Sequence, residues 1–132
     1  MKEWHFFEKT LRVWVVLFIG TPDEFRAELE HNGYKELDEI NCDGAGGMCL
    51  EMTPENNTSG QNCFIIWLRE WSVPTLVHEI THLVMFIFRR SNIPIEIEST
   101  DIFALHTEYW FTEITRARRR QPGGRTPAEA RK

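Results

Sequence analysis

The chain has no apolar run approaching the ~20 residues that a membrane-spanning helix needs. Its longest N-terminal apolar stretch, VWVVLFIG, covers only residues 13–20. That stretch does not read as a secretory leader either. Glu3, Glu8, Lys9 and Arg12 precede it, no small-residue cleavage site follows, and TPDEF opens a helix directly after it. A buried strand and a cytoplasmic location are the expectation. Cysteine is sparse: Cys42, Cys49 and Cys63 are odd in number and form no C-x-x-C pair, which argues against a disulfide framework and a multi-cysteine metal site. Three free thiols are expected. An excess of positive charge is also missing. With a net charge of −5, the chain lacks the basic face by which a general nucleic-acid binder displaces counterions from phosphate. There are no internal repeats.

What remains is a globular composition of 132 residues, 42% apolar and 12% aromatic, enough for one domain with a real core. The positive charge present is gathered at one end, in RARRRQPGGRTPAEARK at 116–132. Rich in Gly, Pro and charge, that end has little to bury. One folded domain over 1–118 followed by a disordered basic tail over 119–132 is expected.

LRVWVVLFIG, bounded by Gly20, reads as a strand. TPDEFRAELEHNGY reads as a helix, with Thr21 as N-cap, Pro22 at the first helical position and NG at 32–33 as the stop. Residues 34–62 carry two turn-rich segments around MCLEM, as in a meander or hairpin, and CFIIWL at 63–68 is a further strand. From Pro74, Leu76, Ile80, Leu83, Val84 and Ile87 recur at helical spacing until SNIP at 91–94 interrupts them. A last helix follows, capped by Ser99 or Thr100, with Phe103, Ala104, Phe111 and Ile114 as its core side. The order predicts an α+β fold: a short, mostly antiparallel sheet with one helix, then two packed helices.

The first of those two helices contains VHEITHLV at 77–84, and within it His78, Glu79 and His82 form H-E-x-x-H. Residues four apart on a helix differ by about 40° around the axis, so both imidazoles can aim at one point. Glu79 lies about 60° from His82, within reach of a water held there. The set therefore offers two zinc ligands and a general base from one turn, on the side away from the Leu76/Ile80/Leu83/Ile87 stripe. Zinc brings the pKa of its bound water to about 7, and the carboxylate relays the proton to the leaving amine. Two histidines on one strip of an apolar helix are costly without a partner.

A catalytic zinc needs a third protein ligand. Glu98, Asp101, His106 and Glu108 follow the motif. His106 points about 140° away from Asp101, and Glu108 shares the face of Asp101 two turns further on. Asp101 is favoured, with Glu98 as the alternative.

HEITH on one helix and IPIEIESTDIFALHTEYWFTEI on the next resemble the small gluzincin-type zinc metallopeptidases. Closest among these are the short H-E-x-x-H proteins common in phage genomes and prophages. The resemblance covers about residues 63–115. It implies a zincin-like fold in which an acid of an E-x-x-A-type stretch completes the zinc site; DIFA at 101–104 holds that place, with Asp where Glu is usual. Leu105 stands where an aromatic is frequent, which leaves Tyr109 and His106 as candidate donors to a carbonyl oxygen. The resemblance further implies that the strand before the metal helix, here CFIIWL, is an edge that takes up an extended peptide, with Trp67 and Trp71 along the groove. The expectation is a zinc-dependent peptidase acting on a peptide or protein, without nucleic-acid or membrane partners. The competing class is a zinc-stabilised, non-catalytic binding or assembly module, for example a phage effector.

Overall fold

A computed structural model describes residues 2–53 and 62–120. In chain order the elements are β1 (Lys2–Glu8), β2 (Val13–Ile19), α1 (Pro22–His31), β3 (Gly47–Glu51), β4 (Cys63–Leu68), α2 (Val73–Arg90) and α3 (Thr100–Arg118). The basic tail expected over 119–132 lies almost wholly outside the described residues.

β1 is the element missed in the sequence. Its signal is a two-residue alternation: Trp4 and Phe6 are buried on one face, while Glu3, His5 and Phe7 occupy the other. Lys2, Glu3 and Glu8 at its ends mask that alternation beside the longer apolar run of β2. The hairpin to β2 turns through Arg12 in the left-handed region, φ 54°, and the Glu8 carboxylate accepts hydrogen bonds from the Thr10 and Leu11 amides at 2.8 and 2.7 Å.

The sheet order is β1-β2-β4-β3. β1 pairs antiparallel with β2, β2 parallel with β4, and β3 antiparallel with β4. The sheet is thus mixed: two of its three pairings are antiparallel, in keeping with the mostly antiparallel sheet expected, and the central one is parallel. The apolar run of CFIIWL explains why. With neighbours on both sides and helices on both faces, β4 is buried throughout and reads as near-continuous hydrophobicity. β4 is therefore an interior strand, contrary to the expected edge, and the edge on that side is β3. Between Gly33 and Asn62 the described residues hold one strand, β3, and a 3-10 turn at Leu37–Glu39. The rest of the expected meander falls on 54–61, outside the described residues.

α1 covers one face of the sheet. Its Thr21 capping box is complete, with Glu24 N donating to Thr21 Oγ1 (3.2 Å) and Thr21 N to Glu24 Oε1 (3.0 Å). Phe25 and Leu29 pack onto Phe18, Ile65 and Trp67. Trp67 stacks on Phe25 at 5.3 Å, and its indole N–H donates to the Gly20 carbonyl. It is fully buried here, on the face opposite α2, and lines no peptide groove.

α2 and α3 cover the other face over Val15, Leu17, Phe64, Ile66 and Leu68. Ser72 caps α2. At its other end Asn92, φ 57°, closes a left-handed cap in which the Ile93 amide reaches back to the Phe88 carbonyl at 2.8 Å. Ser99 pins the connecting loop: its hydroxyl donates to the Pro94 carbonyl (2.6 Å) and accepts from the Glu96 amide (3.0 Å). β3 runs beside α2. At one end a Cβ on Gly47 would lie 2.8 Å from Thr75 Cγ2 and 2.9 Å from the Trp67 carbonyl, so only glycine allows that approach. At the other, Arg89 Nη2 meets Glu51 Oε1 at 2.6 Å.

Candidate metal centre

α2 divides its residues as the sequence pattern requires. Leu76, Ile80, Leu83, Val84, Ile87 and Phe88 are buried, whereas His78 and His82 are exposed on the opposite side. The two rings meet there, edge to face, with Nε2 to Nε2 at 3.3 Å. Two nitrogens bound tetrahedrally to zinc, each at about 2.0–2.1 Å, stand about 3.3 Å apart. The pair thus sits at the spacing of a chelate. Phe86, one turn on, stacks on His82 at 6.2 Å.

Glu79 lies between this outer face and the core, and is 5% exposed. Its carboxylate and the two imidazoles fall within 4.8 Å of one another, a group able to hold a metal ion. Burial pushes the Glu79 carboxyl above its ordinary pKa, and His78 and His82 partly pull it back. A carboxylate so raised is a better proton acceptor at neutral pH than an exposed one. The neighbour on the β3 side is Cys49, whose thiol is driven well above its usual range by burial and then by the charges of Glu79 and Glu51. Burial likewise moves Cys63 up to about 11. Neither thiol is a ready thiolate ligand or nucleophile, and all three cysteines are free.

Four contacts fix how α3 lies against α2. Trp71, just before α2, carries Arg118 over its ring at 4.4 Å. Val77 and Ile80 share a groove of about 440 Å³ with Ala104, Thr107, Glu108 and Phe111. Met85 meets Thr100 and Phe103 around a smaller hollow. Phe88 packs edge to face on Phe103 and His106, at 5.5 and 5.3 Å. The helices are therefore antiparallel, and Asp101 stands level with Ile87 and Phe88, about 8 Å along the axis beyond His82.

Neither Asp101 nor Glu98 joins the group of His78, Glu79 and His82; both are exposed. Glu108, also exposed and also outside that group, lines the groove beside Val77 and Ile80 at about the level of Ile80 along α2. Its position was hidden in the sequence because the length of the turn between the helices sets the register, and the motif gives no hint of it. The two candidate donors are also placed elsewhere. His106 is half-buried against Phe88, and the Tyr109 phenol is raised by burial and by the charges of Glu113 and Glu8 at the end of β1, which puts it on the flank of α3 away from α2.

No protein-family model matches the chain, and no curated protein or solved structure proves similar to it.

Proposed function

We propose that the chain is a zinc-dependent peptidase-like protein in which His78 and His82 hold the metal, Glu79 is the general base and an acid of the segment that follows, Asp101, Glu98 or Glu108, is the third ligand. The observation that carries the reading is the 3.3 Å separation of the two Nε2 atoms beside a buried, proton-hungry carboxylate. Two imidazoles and a carboxylate are a donor set suited to zinc with one position left open. Zinc bound there supplies Lewis acidity toward a water and a carbonyl oxygen.

The protein's own residues do the rest. Glu79, held between α2 and β3, takes the proton of the attacking water and returns it to the departing amine. β3 pairs with β4 alone among the described residues, so its outer side is open to an extended peptide added by backbone hydrogen bonds. Such a peptide runs along the Glu79 side of α2. Its recognition rests on main-chain pairing, so the substrate class is an unfolded or loop segment of polypeptide.

Metal analysis tests the site: about one zinc per chain is expected, lost in His78→Ala. Of Asp101→Ala, Glu98→Ala and Glu108→Ala, the one that removes the third ligand should weaken zinc by 10-fold or more while the other two leave it unchanged; three variants that all keep full affinity would show that no acid of this segment binds the metal. Glu79→Gln should keep zinc and fold but abolish cleavage of a peptide library. The wide exposure of the histidine pair favours one other reading, a zinc-stabilised binding module without turnover. A wild type that binds zinc and cleaves no peptide decides for it.

A further inference from the structure

The two faces of the sheet are covered unequally. α2 and α3 lie over one, whereas α1 on the other has only 10 residues, about 15 Å, against about 23 Å for β2. α1 packs over Phe18 and Trp67 and leaves a hollow further along the strands. Cross-strand register builds the floor of that hollow. His5, Val16 and Ile65 are successive partners across β1, β2 and β4, with Phe18 and Cys63 beside them. Val16 and Cys63 are half-buried on a face where Phe18, Ile65 and Trp67 are buried. One wall is made where Gly33, φ 81°, turns the chain after α1 and the Tyr34 amide donates to the Leu29 carbonyl at 3.0 Å. Met52, just past β3, makes another. The cavity measures about 190 Å³. An apolar cavity of about 150 Å³ holds benzene, so this one has room for a single ring and a short arm.

The rim carries carboxylates from two elements, Glu3 of β1 and Glu28 of α1. His5 Nε2 lies 2.9 Å from Glu3 Oε1, and Asn32 Nδ2 donates to Glu28 Oε1 at 3.1 Å, so both acids are held at the cavity mouth through one oxygen. No lysine or arginine stands among the described lining residues. An apolar floor with a few fixed polar groups of one sign is the make-up of a small-ligand site, and the ligand that complements it carries a positive charge. We propose that this cavity is a second binding site, for a small aromatic amine. The ring lies on Val16, Phe18 and Ile65, where the sulfur atoms of Met52 and Cys63 suit an aromatic edge. The ammonium group meets Glu3 and Glu28 in charge-assisted hydrogen bonds. The sheet separates this cavity from His78 and His82, so the site stands apart from the metal centre.

Titration calorimetry of the full chain with 2-phenylethylamine tests this, with 3-phenylpropionate as a probe of similar shape and opposite charge. The amine should bind with a dissociation constant on the order of 1 mM or tighter. The acid should bind at least about 10-fold more weakly. Glu3→Gln combined with Glu28→Gln keeps the shape of the rim and removes both charges, and should weaken the amine at least about 10-fold. Val16→Phe, which fills the floor, should abolish binding, with circular dichroism confirming the fold; if that variant does not fold, the glutamine pair carries the test. His78→Ala, across the sheet, should leave the amine affinity unchanged. An amine that does not bind at about 10 mM overturns the proposal. So does an acid that binds as well as the amine, a glutamine pair without effect, a folded Val16→Phe that still binds, or a loss in His78→Ala, which would place the amine at the metal centre.

Discussion

α2 and α3 are of nearly equal length, 18 and 19 residues, and lie side by side on one face of the same sheet. Their burial differs sharply. α2 buries Leu76, Glu79, Ile80, Leu83, Val84, Ile87 and Phe88; α3 buries only Trp110, Ile114 and Ala117. The cause is position. α2 has the sheet beneath it, β3 on one side and α3 on the other, so about half its circumference is covered. α3 has a helix neighbour on one side only and leaves a flank open. A polar pair on the exposed side of α2 and apolar residues on the exposed side of α3 are, on this contrast, the two places where each helix departs from what its surroundings ask of it.

The contrast breaks first at the level of stability. Phe88→Ala, in the fully buried seam between the helices, should cost about 3–5 kcal/mol. Leu105→Ala, though it removes a comparable side chain, should stay within about 0.5 kcal/mol in dilute protein. Chemical denaturation of both variants gives the two numbers. Equal losses would mean that the flank of α3 is covered within one chain.

Zinc should widen the difference on the α2 side. A ligand bound only by the folded state at 100 times its dissociation constant adds about 2.7 kcal/mol. Wild type should gain that with zinc, while His82→Ala should gain nothing. Thermal melts with and without a chelator read it. A zinc-dependent gain retained in His82→Ala would move the metal away from the motif.

α2 was legible in the sequence because its buried arc is wide enough for the 3.6-residue period to show. Leu76, Ile80, Leu83 and Ile87 mark the core, and the two histidines of the motif fall on the other side, whereas Glu79 is buried. α3 was read less well. Phe103 and Phe111 are half-buried, Ala104 is exposed, and the true centre is Trp110 with Ile114 and Ala117. A helix at the flank buries a narrow stripe, and aromatic residues on either side of it blur the period. The same limit fell on the site. His78, Glu79 and His82 come together because one helical turn dictates it. The third acid depends on the register between two helices, which the turn at 91–99 sets and no local spacing encodes. β4 as an interior strand and β1 as its distant neighbour depend on sheet order, which is equally non-local.

Glu79 is the buried carboxylate of α2, and it makes stability depend on pH. In the metal-free protein, burial holds its carboxyl above the ordinary value, so the folded chain takes up a proton more readily than the unfolded one. Stability is then greatest below the ordinary carboxylate range and falls as pH rises from there to the raised value. Glu79→Gln removes that fall. With a chelator present, the variant should match wild type in mild acid and exceed it at neutral pH. Parallel stability curves across that window would show that Glu79 is not desolvated.

The smallest effect expected is at the seam between α2 and β3. Arg89 meets Glu51 at 2.6 Å, but its side chain is 67% exposed, and Arg90 Nε lies 3.8 Å from the other oxygen of the same carboxylate. An exposed pair is worth at most about 1 kcal/mol, and here a second cation remains to hold Glu51. Arg89→Ala should cost no more than about 0.5 kcal/mol and lose even that in high salt. Arg89 also lies over the ring of Phe86, which stacks on His82, so the variant frees the ring that backs the metal ligand. If zinc affinity falls while stability barely moves, the ordering of His82 runs through Phe86 and Arg89. If both stay constant, the chelate is set by the helical turn alone.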